Sequence, residues 1–141
     1  MQAIILAAGM GKRLGELTQN NTKCMVKVHN QTLIERMLTQ LSQLPLDRII
    51  LVVGYKGEKL KELVGSKVGN TPIIYVENPV YDKTNNIYSL YLAKHYLVED
   101  ETLLLESDLI FSDTILTKLI NHPYPNLAVV AKYQSWMDGT V

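Results

Sequence analysis

Residues 3–14 read Ala3-Ile4-Ile5-Leu6-Ala7-Ala8-Gly9-Met10-Gly11-Lys12-Arg13-Leu14. An unbroken apolar run at 3–7, stopped by small residues, predicts a strand buried on both faces, the kind that parallel sheets use. The glycine-rich loop behind it lets backbone approach a ligand closely. Its N–H groups can converge on phosphate oxygens. Lys12 and Arg13 bring positive charge to the same place, and arginine can hold phosphate oxygens in a fork. The glycines alone leave two readings evenly open, a phosphate loop or a tight turn with exposed cations. A Walker A spacing is absent. So is the dinucleotide fingerprint: Leu14 stands where its third glycine belongs, and Gly54 where the second strand should end on an acidic residue.

Outward from this stretch, apolar and helical periods alternate. Residues 31–44 place Leu33, Ile34, Met37, Leu38 and Leu41 at helical spacing, with Pro45 as the stop. Residues 48–53 form a second apolar strand, and 58–64 a short helix before Gly65. A third strand is expected at 72–76, a helix at 86–96, and a fourth strand at 102–105. Ser112 is a candidate cap for a helix to Asn121, and 127–131 reads as a fifth strand. The Glu99-Asp100-Glu101 turn reads as a solvated acidic corner. The alternation predicts an α/β fold: a Rossmann-like three-layer α/β/α arrangement on a mostly parallel sheet. Ligands of such sheets bind beyond the carboxyl ends of the strands. The glycines after strand one and Asp108 after strand four sit at those ends.

Composition narrows the partners. The 141 residues suit one domain over 1–141, with 14 Lys plus Arg against 14 Asp plus Glu. A zero net charge offers no bulk field for nucleic acid or an anionic membrane, so any phosphate site must be local. The single cysteine, Cys24, excludes an internal disulfide and a cysteine zinc cluster. With no signal peptide and no apolar run long enough for a bilayer, a cytoplasmic setting is expected. His29, His95 and His122 lack metal spacing, and no Ser-His-Asp or Cys-His arrangement can be argued.

Beyond the glycine loop, three further stretches carry chemistry. Tyr81 to Leu90 contains Thr84, Asn85, Asn86 and Ser89. One of these can cap the following helix, but capping does not account for two adjacent asparagines and a serine one turn on. Asparagine carries donors and an acceptor, which suits the edge of a base. Leu103 to Leu109 ends an apolar run on Glu106-Ser107-Asp108. A carboxylate at a strand end is either solvated or placed for Mg²⁺, which takes one or two carboxylates plus phosphates and waters. Glu106 is expected to be oriented away, one step deeper on the strand, with its role open. Tyr133 to Thr140 holds the lone Trp136 with Tyr133 and Asp138. It is either core packing or a cation–π site for an ammonium group.

The run from Ala7 to Leu14, followed by Thr18 and Lys23, resembles the signature of the nucleotidyltransferases that make activated sugars and activated head-group alcohols. The Asn-Asn-Ile-Tyr-Ser-Leu and Trp-Met-Asp-Gly-Thr stretches resemble those of its phosphocholine cytidylyltransferase branch. The resemblance implies that Leu6, Ala8, Gly9 and Gly11 wrap base and triphosphate, and that Arg13 and Lys23 neutralise phosphates. It also implies that Thr84, Asn85, Asn86 and Ser89 lie beside base or ribose, that Asp108 holds Mg²⁺, and that Tyr133, Trp136 and Asp138 meet the acceptor. Thr22 replaces the family's usual proline, which puts the rigidity of that loop in question. The implied reaction moves CMP from CTP onto a phosphocholine-like substrate and releases pyrophosphate. 2-Aminoethylphosphonate or a sugar phosphate are the alternative acceptors, and a non-catalytic nucleotide-binding regulatory domain is the alternative of another class. Family members continue past the position of Val141, where a second acidic metal ligand and more of the acceptor pocket are expected.

Overall fold

The structure, a computed structural model, describes residues 1–137, the side chain of Arg13 excepted. Met1–Phe111 form one compact unit, and the chain from Ser112 onward a second.

The first unit is built on strands that bury both faces. β1 (Gln2–Ala7) leads through 3-10 turns at Lys12–Thr18 and Lys23–Met25 to a small hairpin of β2 (Lys27–Val28) and β3 (Gln31–Thr32). Then come α1 (Leu33–Leu41), β4 (Arg48–Val53), α2 (Gly57–Val64), β5 (Lys67–Val68) and β6 (Thr71–Glu77). α3 (Asn86–Leu92), α4 (Lys94–Glu99) and β7 (Thr102–Glu106) complete it. The sheet order is β5-β6-β4-β1-β7, parallel except for the antiparallel β5–β6 edge. This is the expected Rossmann-like α/β layout.

Parallel pairing explains the uninterrupted apolar runs. Ile4, Leu6, Ile50 and Val52 form a buried cluster with Ala93, against which Leu90 and Tyr96 of the α3–α4 segment pack. Alternation turns Ala3, Ile5, Ile49 and Leu51 to the other face, where they are equally buried. α1 and α2 contribute buried rows of their own, Ile34, Met37, Leu38 and Leu41 on the first and Leu60 on the second. Each such aliphatic side chain contributes about 1.5–3 kcal/mol on burial, so the central strands are the rigid platform of the unit.

Several element boundaries differ from expectation, each for a local reason. α1 starts at Leu33 because Thr32 and Glu35 form a capping box: the Glu35 N–H donates to Thr32 Oγ1 at 3.2 Å, and the Thr32 N–H to Glu35 Oε2 at 3.0 Å. These Thr32 hydrogen bonds hold the Glu35 carboxyl below its ordinary range. α1 ends at Leu41, before Pro45 is reached. The single helix expected at 86–96 is two, because the chain tightens at Ala93 into i→i+3 bonds from Ala93 to Leu90 and from Tyr96 to Ala93. The acidic corner at 99–101 is paired: Arg48 Nη2 bridges Glu99 at 2.6 Å while its Nε donates to the buried Gln2 side chain at 2.8 Å.

In the second unit, α5 (Asp113–Ile120) follows Ser112, which occupies the N-cap position but bonds its hydroxyl to Thr114 at 2.9 Å and makes no side-chain cap bond. The fifth strand expected at 127–131 does not form: Leu127, Val129 and Val130 are exposed and unladdered. An apolar run becomes a strand only beside a neighbour that satisfies its backbone groups. No described helix is long and apolar enough to cross a membrane.

Candidate functional site

Parallel register brings the carboxyl ends of β1, β4 and β7 to one edge. Leu6 is the partner of Glu106, and Ala7 of Val53. Beyond that edge lies a cleft of about 440 Å³, lined by Leu6, Gly9, Gly11, Lys12, Leu14, Lys23, Asn86, Glu106, Ser107 and Asp108. The glycine turn, Lys23 and the strand-end Asp108 thus meet in one cavity. This volume falls within the range of small-molecule sites.

The turn has a defined shape. Gly11 sits at φ +63°, where a Cβ would stand 3.0 Å from Thr18 Cγ2 and 3.1 Å from Lys23 Cβ. Glycine avoids both the left-handed strain and the crowding. The Gly11 carbonyl accepts from the Leu14 N–H at 2.9 Å and from Thr18 Oγ1 at 3.0 Å. A Cβ on Gly9 would meet nothing within 4 Å, so this glycine faces open space. Ala8 is buried, and its carbonyl accepts the Tyr55 N–H at 3.1 Å. Its contribution is to anchor the turn rather than to line the cleft.

The loop from Gly11 to Lys23 is fastened on its far side as well. Tyr55 Oη donates to the Gln19 carbonyl at 2.9 Å, and Lys59 Nζ to that of Asn20 at 2.9 Å. Thr22, in the place of the usual proline, is buried with its hydroxyl 3.1 Å from Cys24 Sγ. Burial pushes the Cys24 thiol up, away from the thiolate that a nucleophile needs.

Lys23 forms an ion pair with Asp108 inside the cleft. Glu106, the last residue of β7, is turned into the cleft too, which corrects the expectation that it points away: there it meets the Asn86 amide. The Asn86 amide donates to its Oε1 at 2.9 Å and its Oε2 at 2.8 Å. Burial raises the Glu106 carboxyl above its ordinary range; Asp108 adds to the shift, while Asn86 and Lys23 oppose it.

The asparagine stretch divides. Asn86 lines the cleft. Asn85 occupies the N-cap of α3 without a side-chain cap bond. Thr84 and Ser89 are held from behind by Asn78, which donates to each hydroxyl at 3.1 Å and accepts the Val80 N–H at 3.0 Å. Ser89 is buried, so both hydroxyls brace the loop rather than line the cleft. Asn78 was missed by sequence reasoning; its signal is an amide directly after a strand and before a proline. Gly54 was missed as a structural requirement: a Cβ there would lie 2.8 Å from Tyr81 Cβ and 2.9 Å from the Ala8 carbonyl oxygen.

In the second unit Tyr133 is 69% and Trp136 77% exposed, so Trp136 is not a core residue. Asp138 lies outside the described residues. For a metal, the cleft supplies the carboxylate of Asp108, that of Glu106 being engaged by the Asn86 amide. Among the described residues no group of three or more His, Cys, Asp or Glu comes together. A small hard ion that keeps waters and takes most other ligands from phosphate fits such a set; one that needs a full protein cage does not.

Residues 3–138 match the sequence family described as the MobA-like NTP transferase domain. Over 141 residues the chain is 33% identical to the CMP-5'-(3-aminopropyl)phosphonate synthase of Streptomyces rubellomurinus, covering 100% of this chain and 22% of that protein. It is 33% identical over 138 residues to the choline-phosphate cytidylyltransferase of Haemophilus influenzae, covering 97% of this chain and 57% of that one. Among solved structures, the CTP:phosphocholine cytidylyltransferase of Streptococcus pneumoniae superposes with a TM-score of 0.63 at 35% identity, covering 79% of this chain and 47% of that chain. The chain thus spans at most 57% of the length of these relatives.

Proposed function

This chain belongs to the nucleotidyltransferase family of MobA-like NTP transferase domains, and on that premise we propose that it is the nucleotide-binding part of a cytidylyltransferase. The reaction is transfer of CMP from CTP to a small amine-bearing phosphate or phosphonate, with release of pyrophosphate. Phosphocholine is the first-choice acceptor and 2-aminoethylphosphonate the second. The observation that carries the reading is the meeting of the glycine turn, Lys23 and Asp108 in one cleft.

The chemistry asks little of the protein beyond placement and charge. An acceptor phosphate or phosphonate oxygen is already ionised at neutral pH. It attacks the α-phosphorus in line; the new P–O bond forms as the bond to the pyrophosphate oxygen breaks. No general base or enzyme nucleophile is needed, which agrees with the buried Cys24 and the absence of a histidine from the cleft lining. Backbone N–H groups of the glycine turn, with Lys12, Arg13 and Lys23, cradle and neutralise the triphosphate. Fixing both reactants in the cleft converts a bimolecular encounter into a positioned one. Asp108 would hold Mg²⁺, whose charge, when bound, stabilises the leaving pyrophosphate. Lys23 is the counter-charge that Asp108 has in the free protein, and it is released to phosphate when the nucleotide enters.

The test is calorimetric titration of the chain with CTP, UTP, ATP and GTP in Mg²⁺, alongside a pyrophosphate-release assay with both acceptors. CTP binds best, and Lys23→Met and Asp108→Asn each weaken it at least tenfold. Undiminished CTP binding in both variants would refute the reading.

A further inference from the structure

The cleft contains a carboxylate that the proposed chemistry leaves unused. Glu106 ends β7 as the register partner of Leu6, so its backbone is fixed by the centre of the sheet. Its oxygens take the amide nitrogen of Asn86 at 2.9 and 2.8 Å. An ionised carboxylate only accepts hydrogen bonds, whereas an asparagine amide has a donor end and an acceptor end. The NH₂ end must therefore face Glu106. With its nitrogen held on the carboxylate, the amide is fixed in one orientation, and Oδ1, an acceptor, is the end it turns away from Glu106.

A free asparagine is ambivalent. By rotating its amide it serves a base edge that donates as well as one that accepts, and it discriminates weakly. Locked, it cannot exchange its two ends, and the position held by Oδ1 serves only a donor. The 4-amino group of cytosine is such a donor; the O4 of uracil at the same position is an acceptor. Two acceptors without a shared proton forfeit the hydrogen bond and leave both atoms desolvated and unpaired. Discrimination of this kind rests on the penalty against the wrong partner as much as on the bond to the right one.

We propose that Glu106 is a specificity-determining positioning residue: by locking the Asn86 amide, it makes the cleft select nucleoside triphosphates whose base offers an amino group, CTP over UTP. The inference rests on the cytidylyltransferase reading and deepens it by giving a physical source for the choice of base. Glu106 touches Asn86 and need not touch the reacting atoms. Asp108, two residues on, keeps the phosphate end of the cleft.

The experiment measures dissociation constants for CTP and UTP in Mg²⁺ at pH 7.5, in the wild-type chain, Glu106→Gln and Asn86→Ala. Wild type favours CTP by about 10- to 100-fold, the span that one misplaced polar partner produces. Glutamine presents either an acceptor or a donor, so in Glu106→Gln the Asn86 amide is free to turn. The CTP/UTP ratio then falls to within about threefold of unity, mainly because UTP binds better. Asn86→Ala removes the reader and collapses the ratio as well. If Glu106→Gln is insoluble, Glu106→Ala frees the amide in the same way.

A purely structural Glu106 would lower both affinities together and keep the ratio; that result overturns the proposal. So does a ratio that collapses in Asn86→Ala but survives in the Glu106 variants. Equal wild-type affinity for CTP and UTP overturns it too, while leaving the cleft a triphosphate site. Binding of neither nucleotide removes the proposed function beneath it and the inference with it.

Discussion

Replacing Gly54 by alanine puts a methyl carbon 2.8 Å from Tyr81 Cβ, 2.9 Å from the Ala8 carbonyl oxygen and 3.0 Å from Ala8 Cβ. None of these atoms lies at the end of a flexible side chain, so relief requires backbone movement. The carboxyl ends of β1 and β4 must part, which also strains the Tyr55 N–H bond to the Ala8 carbonyl. Overpacking of this kind costs about 1–3 kcal/mol, and a weakened backbone hydrogen bond adds about 1 kcal/mol. With about 2.1 cal/mol/K of unfolding entropy per residue, the chain loses about 3 °C of Tm per kcal/mol. Gly54→Ala should therefore melt roughly 7–13 °C lower than wild type. Because Ala8 anchors the glycine turn, its CTP affinity falls as well. Gly9→Ala is the matched control: its Cβ meets nothing within 4 Å in the free protein, but projects where the turn lines the cleft. It should melt within about 2 °C of wild type, the ordinary range for an unobstructed surface change, yet bind CTP about tenfold more weakly, since backbone approach to a ligand is what a bare glycine allows. Thermal denaturation and calorimetric titration of both variants read the outcome. A Gly54→Ala protein as stable as wild type, or a Gly9→Ala protein as destabilised as Gly54→Ala, would refute the reasoning.

Lys23→Met removes a partly exposed ion pair, so its stability should stay within about 1 kcal/mol of wild type in urea denaturation, while CTP binding weakens and loses part of its salt dependence. Asn78→Ala leaves the Thr84 and Ser89 hydroxyls and the Val80 N–H without their buried partner. A loss of about 2–4 kcal/mol is expected, and a loss below about 0.5 kcal/mol would mean that Asn78 does not brace the loop. For Glu106 the folded carboxyl titrates above its ordinary value of 4.5, chiefly through burial. The folded state thus binds more protons than the unfolded one in that window, and ionisation of Glu106 costs stability as pH rises through it. Glu106→Gln should raise Tm at pH 7, with a gain that shrinks as pH falls towards the ordinary value; a constant gain across that range would argue against a buried charge.

The central strands were legible because burial on both faces writes itself as continuous apolar sequence. β1, β4, β6 and β7 lie within a residue or two of where composition places them. The run at 127–131 carries the same composition and yet forms no strand among the described residues. Apolarity records what a segment gains by burial, not whether a neighbouring ladder exists to receive it, and that information lies elsewhere in the chain. The 3-10 loop between Gly11 and Met25 has no period to read. Its course is set by Thr18, Tyr55 and Lys59 bonding to backbone carbonyls, contacts that link residues up to 39 apart.

At the site, the residues that sequence could name are those whose chemistry is scarce: two glycines after a strand, a lysine, a strand-end aspartate and an asparagine. The residues it misjudged differ in orientation, not in type. Thr84, Ser89 and Asn86 all carry side chains able to meet a base, but two of them face Asn78 and one faces Glu106. Glu106 is the last residue of β7 and Asp108 lies in the turn behind it; a strand period read through both assigns them one face, but whether that face is solvent, metal or a neighbouring amide depends on where α3 begins. Polar residue types are therefore ambiguous wherever a hydroxyl or amide can be satisfied internally. The scarce charges are less so, because an unpaired cation or carboxylate is too costly to bury without a partner. In this cleft Lys23 and Asp108 hold each other. Among the described residues, the hydrogen-bond partner of the Glu106 carboxylate is the amide of Asn86 rather than a cation, so the cost of half-burying its charge is offset less fully than in the Lys23–Asp108 pair.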